Sequence, residues 1–338
     1  MAKPTVHDIA REAGVSLATV DRVMNARPGV KARTVQRVQA AIETLGYVRD
    51  LSAANLARGR DYRFAFLLPD ADSQFLHQLR AAIEEAGAAA RFDRCYVEII
   101  PLEPTQSGCT QAFDQIEDKD MDGVAVMAPV CDPVADLLKQ LDAAGQAVVT
   151  LVTDQAGDGR GRFVGIDNMA AGRTAGRIMA GFLKVDGPVA MVVNTMQARD
   201  MVERLAGFTE VLQSERPGVS LLPPLEGHDD RAKTRELLAA ALHQDPAGVY
   251  SAGAGTRGVT SALQHHDGPS RPIVIAHDLT SHTKAALRDG IIDVVIDQNT
   301  GHLARSALRV LRAKIENRDL IPSQERIRIE VVLKENLT

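Results

Sequence analysis

The apolar residues of the first 45 positions recur at helical rather than strand spacing. They predict two short helices joined by a tight turn between Thr5 and Asn25. The inward positions of this pair would be Val6, Ile9, Ala10, Val20, Val23 and Met24. Ala13 and Gly14 leave room for the turn, and Ser16 stands where the N-cap of the second helix belongs. The pattern is typical of a helix-turn-helix that binds DNA, although an ordinary helical hairpin shows the same spacing.

A third helix is predicted from the next apolar stripe. It follows a turn at residues 27–29, runs to about Leu45 and is ended by Gly46. The cations on its outward side are Lys31, Arg33 and Arg37. These side chains are available to phosphate groups, and three helices in about 45 residues make a complete small DNA-reading head.

From Tyr62 onward, near-continuous apolar runs alternate with amphipathic stretches. The predicted strands are Phe64 to Leu68, Tyr96 to Ile100, Val124 to Met127, Val148 to Val152, Val189 to Val193, Val249 to Ser251, Ile273 to Ala276 and Val294 to Ile296. The predicted helices between them include Phe75 to Ala90, Pro133 to Ala144, Met201 to Gln213, Arg231 to His243 and Gly301 to Lys314. This alternation predicts parallel sheets covered on both faces, with ligands beyond the carboxyl ends of the strands.

Charge is distributed unevenly along the chain. Residues 1–63 hold eleven Lys or Arg and six Asp or Glu, a balance of +5, whereas the rest carries −10 and the whole chain −5. A basic head on an acidic body fits a module held near phosphates, with the body kept away from DNA.

Composition is that of an ordinary globular protein, with 45% hydrophobic and 25% charged residues. Cys95, Cys109 and Cys131 are too few and too scattered for a disulfide framework or a zinc module, so we expect small buried residues in a reducing compartment. The N-terminus lacks the apolar region of a signal peptide, and no run of about 18 apolar residues occurs. These features predict a cytoplasmic, nucleoid-associated protein that does not contact a membrane.

The order of three segments, TVHDIAREAGVSLATVDRVMN, KARTVQRVQAAIETLGY and LSAANLARG, resembles the N-terminal region of LacI/GalR family transcriptional regulators. The body resembles, more loosely, that family's two-lobed sugar-binding core, which is akin to periplasmic binding proteins. The implied fold is a small all-α helix-turn-helix head plus an α/β two-lobed core of parallel sheets flanked by helices. The implied domains are a head at 1–49, a hinge helix or linker at 50–60, and a core at 61–338. Within the core, one subdomain would comprise about 61–165 plus 298–324, and the other about 166–297 plus 325–338.

The resemblance also implies DNA contacts. In the family, the segment matching Leu51 to Arg58 is a hinge helix that orders on operator DNA, and the leucine matching Leu56 wedges into the minor groove. Such ordering suits a helix of about eight residues, which is unstable alone. The residues implied to contact DNA are Thr5, Ser16, Leu17, Ala18, Thr19, Asp21, Arg22, Asn25, Arg33, Asn55, Leu56 and Arg58.

Four of these residues bear on the operator sequence. Leu17 and Ala18 suit apolar contact with thymine methyl groups, and Arg22 is the candidate for a guanine. Asp21 departs from the small hydroxyl residue that is more common in the family. It either accepts from a cytosine amine or orients Arg22, and the sequence leaves both open.

For the core, the resemblance implies effector contacts at the ends of strands. Phe75 would stack on a sugar face or, with equal weight, belong to a helix core. Arg204 would donate to ligand hydroxyls or a carboxylate, and Asp278 would accept from sugar hydroxyls. The full set of predicted effector contacts is Asp72, Ser73, Phe75, Asp154, Arg204, Gly253, Asp278 and Gln298. His277, beside Asp278, is the histidine to test for ligand contact.

The stretch Gly253-Ala254-Gly255-Thr256-Arg257-Gly258 matches GxGxxG, with Asp278 about twenty residues further on. That spacing is the dinucleotide fingerprint, so an NAD(P)-binding oxidoreductase or sensor is the alternative function. The motif lies deep in the chain, however, and the resembling family has a cleft-facing Asn-Asp pair at Gly253-Ala254. A glycine-rich turn at a helix N-terminus also favours anions. We therefore hypothesise an anionic effector.

Neither GxSxG nor HExxH occurs, and the histidines lack metal-ligand spacing, so no enzyme activity, metal or cofactor is expected. The sequence predicts a DNA-binding transcriptional regulator, a repressor of carbohydrate-related genes. Its expected partners are double-stranded operator DNA with a pseudo-palindromic sequence, a second copy of the chain in a homodimer or tetramer, and a small effector. That effector would be a sugar, a sugar phosphate or a sugar acid bound between the lobes.

Overall fold

A computed structural model describes residues 4–24, 29–45, 60–155, 162–253, 255–268 and 270–337. The chain divides into two compact units, residues 1–60 and 61–338. Asn25, Gly46 and the predicted hinge contacts Asn55, Leu56 and Arg58 lie outside the described residues.

The described residues of the first unit form three helices: α1 (Val6–Ala13), α2 (Leu17–Met24) and α3 (Ala32–Leu45). Thr5 caps α1 in a capping box with Asp8, and Gly14 ends the helix with a φ of 58°, a left-handed conformation that glycine adopts without strain. The predicted N-cap of α2 is present, because the Thr19 N–H donates to Ser16 Oγ at 3.2 Å. Ile9 is fully buried in the small core that the three helices share.

One detail of the head differs from the sequence-based prediction, and another adds to it. Val6 was placed on the inward stripe but is 37% exposed, because it begins α1 and lies beyond the packed part of the helix. Arg37 is exposed, as predicted, and its Nη2 also donates to the carbonyl oxygens of Ala13 and Gly14. Arg37 therefore ties α3 to the turn between α1 and α2.

The first sheet of the second unit has five strands, all parallel, in the order β2-β1-β3-β4-β5. Its strands are β1 (Tyr62–Leu68), β2 (Cys95–Pro101), β3 (Gly123–Val126), β4 (Ala147–Leu151) and β5 (Arg162–Val164). The connecting helices are α4 (Gln74–Ala90), α5 (Gln106–Asp118) and α6 (Asp132–Ala143). The order reverses between β1 and β3, so a crevice opens at their carboxyl ends.

The second sheet is built in the same way, with β6 and β9 as the neighbours at which the order reverses. Its strands are β6 (Pro188–Val193), β7 (Ser220–Leu221), β8 (Leu225–Glu226), β9 (Gly248–Ser251), β10 (Ile273–His277), β11 (Val294–Gln298) and β12 (Ile329–Val332). Its helices are α7 (Asn168–Phe182), α8 (Arg199–Glu215), α9 (Arg231–Leu242), α10 (Thr256–Gln264) and α11 (Ser281–Arg288). Strand β12 alone pairs antiparallel, with β11.

The chain returns to the first sheet after β11. Helix α12 (Thr300–Ile315) contacts α4, β3 and β4, whereas β12, which follows it after the short α13 (Pro322–Glu325), joins the second sheet. The two lobes are thus formed from interleaved segments. No helix in the described part of the chain is both long and apolar enough to cross a membrane.

The predicted parallel sheets are confirmed, and every predicted strand is present within two residues at each end. The missed strands are β5, β7, β8 and β12, which have two to four residues or lie at a sheet edge, where the apolar pattern is weak. Cys95 and Cys109 are buried as expected, but Cys131 is only half-buried because it immediately precedes α6 at the surface.

Candidate effector cleft and DNA-binding face

The carboxyl ends of both sheets face a cavity made of two connected chambers. The inner chamber, about 240 Å³, is lined by loops that follow β1, β3, β6, β9 and β10. The outer chamber, about 290 Å³, is lined by the loop before α4 and by the first residues of α9, α10 and α11. The residues that border both chambers are Ser73, Phe75, Asp229, Gly253 and Asp278.

Arg204, on α8, is the most buried cation of the inner chamber, at 1% exposure. Its Nε donates to Asn168 Oδ1 at 2.9 Å and its Nη1 donates to the Ala252 carbonyl at 2.7 Å. Its Nη2 is buried and has no hydrogen-bond partner among the described residues. Leaving a buried N–H unpaired is costly, so this atom is suited to donate to a ligand oxygen.

Asp278 and Gln298 lie opposite, at the ends of β10 and β11. Gln298 Nε2 donates to Asp278 Oδ1 at 3.1 Å, and Gln298 Oε1 has no partner in the described structure. Burial raises the pKa of Asp278 to about 6, against the lowering effect of the Arg204 charge and the Gln298 hydrogen bond. Asp278 also has a φ of 67°, a left-handed backbone conformation that residues other than glycine rarely adopt and that is often found at binding sites.

The rest of the predicted first-lobe set lies around the start of α4. Phe75 is 8% exposed and borders both chambers, so it is at once a buried helix residue and part of the cavity wall. Ser73 borders both chambers as well, whereas Asp72 borders only the outer one. The Asp72 side chain is 83% exposed and lies 3.7 Å from His77 Nε2, which places it at the rim.

Asp154 was predicted to contact the effector, and the structure does not place it on the wall of either chamber. Its Oδ1 accepts hydrogen bonds from Thr150 Oγ1 and from the Gln155 N–H, both at 2.9 Å. The neighbouring Thr153 lines the inner chamber instead, with a buried Oγ1 that has no partner among the described residues. The chain bends after β4, where Val152 has a φ of 65°, and both Val152 and Thr153 line the chamber whereas Asp154 does not.

His277 borders the outer chamber at 2% exposure. Its Nε2 is 2.9 Å from the Tyr250 hydroxyl, and its Nδ1 is buried without a partner in the described part of the chain. Burial and the nearby Arg204 charge hold the pKa of His277 well below its ordinary value, so this imidazole is neutral. It can exchange a hydrogen bond with a ligand without adding charge.

Sequence reasoning missed several polar wall residues, including Asn194, Asp200, Asp229, Arg231 and Arg257. Asn194 directly follows β6, so the expectation that ligands bind beyond the carboxyl ends of strands could have found it. Asp200 and Arg204 are four residues apart, as neighbours on one helix face are. Nothing local marks Arg231 or Arg257, because helix-starting arginines are usually solvated.

The GxGxxG stretch adopts a strand-turn-helix geometry between β9 and α10. Gly255 is the N-cap of α10 with a φ of 96°, and Ala254 lies outside the described residues. A Cβ on Gly258 would lie 2.7 Å from the Arg231 carbonyl oxygen, so this glycine permits close packing of α10 on α9. In a dinucleotide fingerprint the third glycine instead permits close packing of a helix on a strand. Strand β9 is also not the first strand of its sheet.

The outer face of α2 carries the predicted base-reading side chains. Leu17 is 41% exposed, and Ala18, Asp21 and Arg22 are exposed, whereas Val20 is 1% exposed on the opposite face. The remaining described members of the predicted DNA set are exposed Thr5, Ser16 and Arg33 and half-buried Thr19. Thr5 and Ser16 also cap helices, so their hydroxyls are already used within the head.

The fold and the cleft define a two-lobed binding protein, and the comparison with protein families agrees. The family described as periplasmic binding protein domain matches residues 64–319, and the chain belongs to it. The family described as bacterial regulatory proteins, lacI family, matches residues 5–50. The chain therefore combines a LacI-family DNA-binding domain with a periplasmic-binding-protein core, which confirms the resemblance found in the sequence.

Two relatives show the level of sequence similarity. Catabolite control protein A of Staphylococcus aureus strain MRSA252 is 26% identical over 209 residues, which is 62% of this chain and 61% of the relative. The maltose regulon regulatory protein MalI of Escherichia coli K12 is 38% identical over 84 residues, 25% of each chain. The matched regions thus span less than two thirds of these relatives.

Among solved structures, an ABC transporter solute binding protein from Burkholderia graminis C4D1M, in complex with D-arabinose, has a TM-score of 0.73. The match covers 82% of this chain and 97% of that one at 22% identity. A similarity at this level of identity shows the shared core fold.

Proposed function

We propose that this protein is a transcriptional regulator that represses carbohydrate-related genes. Two copies of the chain bind a pseudo-palindromic operator through their heads, and a small sugar-like effector bound between the lobes changes operator affinity. The observation that carries the proposal is the joining, in one chain, of an exposed α2 face with a cleft whose buried polar atoms lack partners. The first feature suits DNA, and the second suits a small hydroxylated ligand.

The DNA-binding part is supported by the exposure pattern of α2. Arg22 can donate two hydrogen bonds to a guanine, while Leu17 and Ala18 can pack against thymine methyl groups. The apolar Leu17 gains nothing from being 41% exposed in the free head, and contact with a base would bury it. The family membership of residues 5–50 supports the same function.

The ligand class is supported by the inner chamber. Arg204 Nη2 offers a donor, whereas Gln298 Oε1 and Asp229 Oδ1 offer acceptors, and none has a partner among the described residues. Phe75 provides an aromatic wall. Paired donors and acceptors beside an aromatic ring match a polyhydroxylated ring, whose hydroxyls both donate and accept. The solved relative with bound D-arabinose supports a sugar.

Coupling between cleft and operator requires the lobes to move. Among the described residues, the hydrogen bonds that join them are long. Gln78 Nε2 donates to the Leu279 carbonyl at 3.3 Å. Four others measure 3.4 Å: the Val130 N–H to the Gln197 carbonyl, Gln74 Nε2 to Ser281 Oγ, Asn168 Nδ2 to the Val152 carbonyl, and Arg199 Nη1 to the Gln155 carbonyl. We propose that effector binding shifts the lobes, separates the paired segments at 50–60 and melts their helices, so operator affinity falls by the coupling free energy. A corepressor would act with the opposite sign.

The test begins with selection of genomic DNA bound by the purified full-length protein. We expect an enriched pseudo-palindromic motif and a mobility shift whose affinity falls steeply with salt. Arg22→Ala should relax the preference at one base pair of each half-site, by about five- to hundredfold. Equal binding to the selected and a scrambled duplex would refute sequence-specific DNA binding.

The response to the effector is tested on the same operator complex. Sugars suggested by the genes next to the selected sites are added, and release of the duplex is measured. Arg204→Met keeps a long side chain but removes the orphaned donor, so it should bind operator yet lose its response to the effector. An unchanged response of this variant would place the effector elsewhere. The absorbance of the purified protein with added NAD tests the alternative of an oxidoreductase.

A further inference from the structure

The outer chamber holds two arginines that the proposed sugar site does not use. Arg231 begins α9 and Arg257 lies in the first turn of α10, and both border this chamber but not the inner one. Neither guanidinium forms an ion pair or a hydrogen bond with another described residue. Both lie close to His282, whose pKa is lowered by burial and further by the Arg257 and Arg231 charges. Both side chains are exposed, so two solvated cations border one small cavity.

Further observations point to a ligand at this place. Helix α10, nine residues long, begins beside the arginines, and its N-cap Gly255 supplies no side chain to its first N–H groups. These N–H groups and the helix dipole favour a negative charge. Independently, the wall residue His277 is 2% exposed and keeps a buried Nδ1 without a partner among the described residues.

Three carboxylates also line the outer chamber: Asp72, Asp229 and Asp278. Asp229 and Asp278 border both chambers, and burial raises the pKa of each, which favours hydrogen bonding to hydroxyls. Asp72 is at the exposed rim beside His77. Asp229 and Asp278 thus lie where the two chambers meet, and Asp72 lies at the solvent edge. Arg231 and Arg257 border only the outer chamber.

We propose that Arg231, Arg257 and the N-terminus of α10 bind the anionic group of the effector, while its hydroxylated part occupies the inner chamber. The effector class is then a sugar phosphate or a sugar acid. This inference rests on the proposed function, and it adds a binding subsite for a phosphate or carboxylate group. Arginine matches both anions through paired hydrogen bonds.

The test titrates the full-length protein with inorganic phosphate by calorimetry, in buffer held at constant ionic strength with sodium chloride. We expect saturable binding that Arg231→Gln and Arg257→Gln each weaken about tenfold, since each removes a charge-assisted hydrogen bond. Arg235→Gln is the matched control, because Arg235 is exposed on the same helix and borders neither chamber. It should bind phosphate like the wild type.

Absence of saturable phosphate binding, or equal binding by the Arg231→Gln/Arg257→Gln double variant, would overturn the proposal. Gluconate, titrated in parallel, distinguishes a sugar acid from a phosphate ester as the preferred anion. Far-ultraviolet circular dichroism of each variant verifies that it is folded. If a neutral sugar releases the operator and phosphate does not bind, the proposed function stands and the anion subsite falls. If no sequence-specific DNA binding exists, the proposed function falls while the phosphate result keeps its meaning.

Discussion

The crossing of α7 and α8 positions Arg204, and glycines make that crossing possible. A Cβ on Gly172 would lie 2.0 Å from the Arg204 carbonyl oxygen, and one on Gly207 would lie 2.2 Å from the Met169 carbonyl oxygen. Real Cβ atoms essentially never approach within 3.0 Å, so the helices must part by about 1 Å if either glycine gains a methyl group. Gly172→Ala therefore tests whether this close approach supports the cleft.

The magnitude follows from two opposing effects. Overpacking of a well-packed contact costs about 1 to 3 kcal/mol, whereas replacing a helical glycine with alanine gains about 0.5 to 1 kcal/mol. These ranges give a net loss of about 0 to 2.5 kcal/mol. Because the 2.0 Å approach is to a backbone oxygen, we expect the upper half of that range, which lowers Tm by roughly 3 to 10 °C in a core of this size. The displaced Arg204 should also lengthen its 2.9 Å hydrogen bond to Asn168, which lies on α7.

Gly181→Ala is the matched control, because Gly181 lies on the same helix and its Cβ would meet nothing within 4 Å. Thermal unfolding is followed by far-ultraviolet circular dichroism, since the chain contains no Trp to serve as a fluorescent reporter. We expect Gly181→Ala to keep or slightly raise the wild-type Tm. If Gly172→Ala unfolded at the same temperature as Gly181→Ala, close packing of α7 on α8 would not be what holds Arg204.

Two further predictions concern a titrating carboxylate and a structural arginine. The pKa of Asp278 is about 6 in the folded protein, above its value in the unfolded chain, so the folded state binds the additional proton. The free energy of unfolding should therefore fall as pH rises from about 4.5 to 6.5, by up to roughly 1.4 kcal/mol per pH unit. Urea titrations measure this slope, and Asp278→Asn should remove the part of it that Asp278 contributes. Identical slopes for the wild type and the variant would contradict the assignment. Arg37→Gln should speed hydrogen exchange over residues 6–24 about fivefold, because the turn loses a contact of about 1 kcal/mol. Arg33→Gln, exposed on the same helix, is the control, and equal exchange in both variants would show that Arg37 does not hold the turn.

The sequence by itself determined the fold class and the class of the head. Apolar spacing in Thr5 to Asn25 and near-continuous apolar runs such as β1 are local signals, because a helix face or a buried strand must match its own period. The resemblance then extended these signals to the family, and it implied Asp278 and Gln298 as effector contacts. Edge strands such as β12 were not predicted, because a strand that is largely exposed shows little apolar pattern.

Only the tertiary structure decided which side chains share the cavity. Arg204 and Asp278 are 74 positions apart, and their common burial depends on the crossing of α7 and α8 and on the order of strands in the second sheet. Asp154 shows the converse, because after the bend that follows β4 its carboxylate accepts hydrogen bonds from Thr150 and Gln155 and lines neither chamber. The pairing of Arg231 with Arg257 likewise arises where α9 packs on α10, a contact that no local pattern encodes.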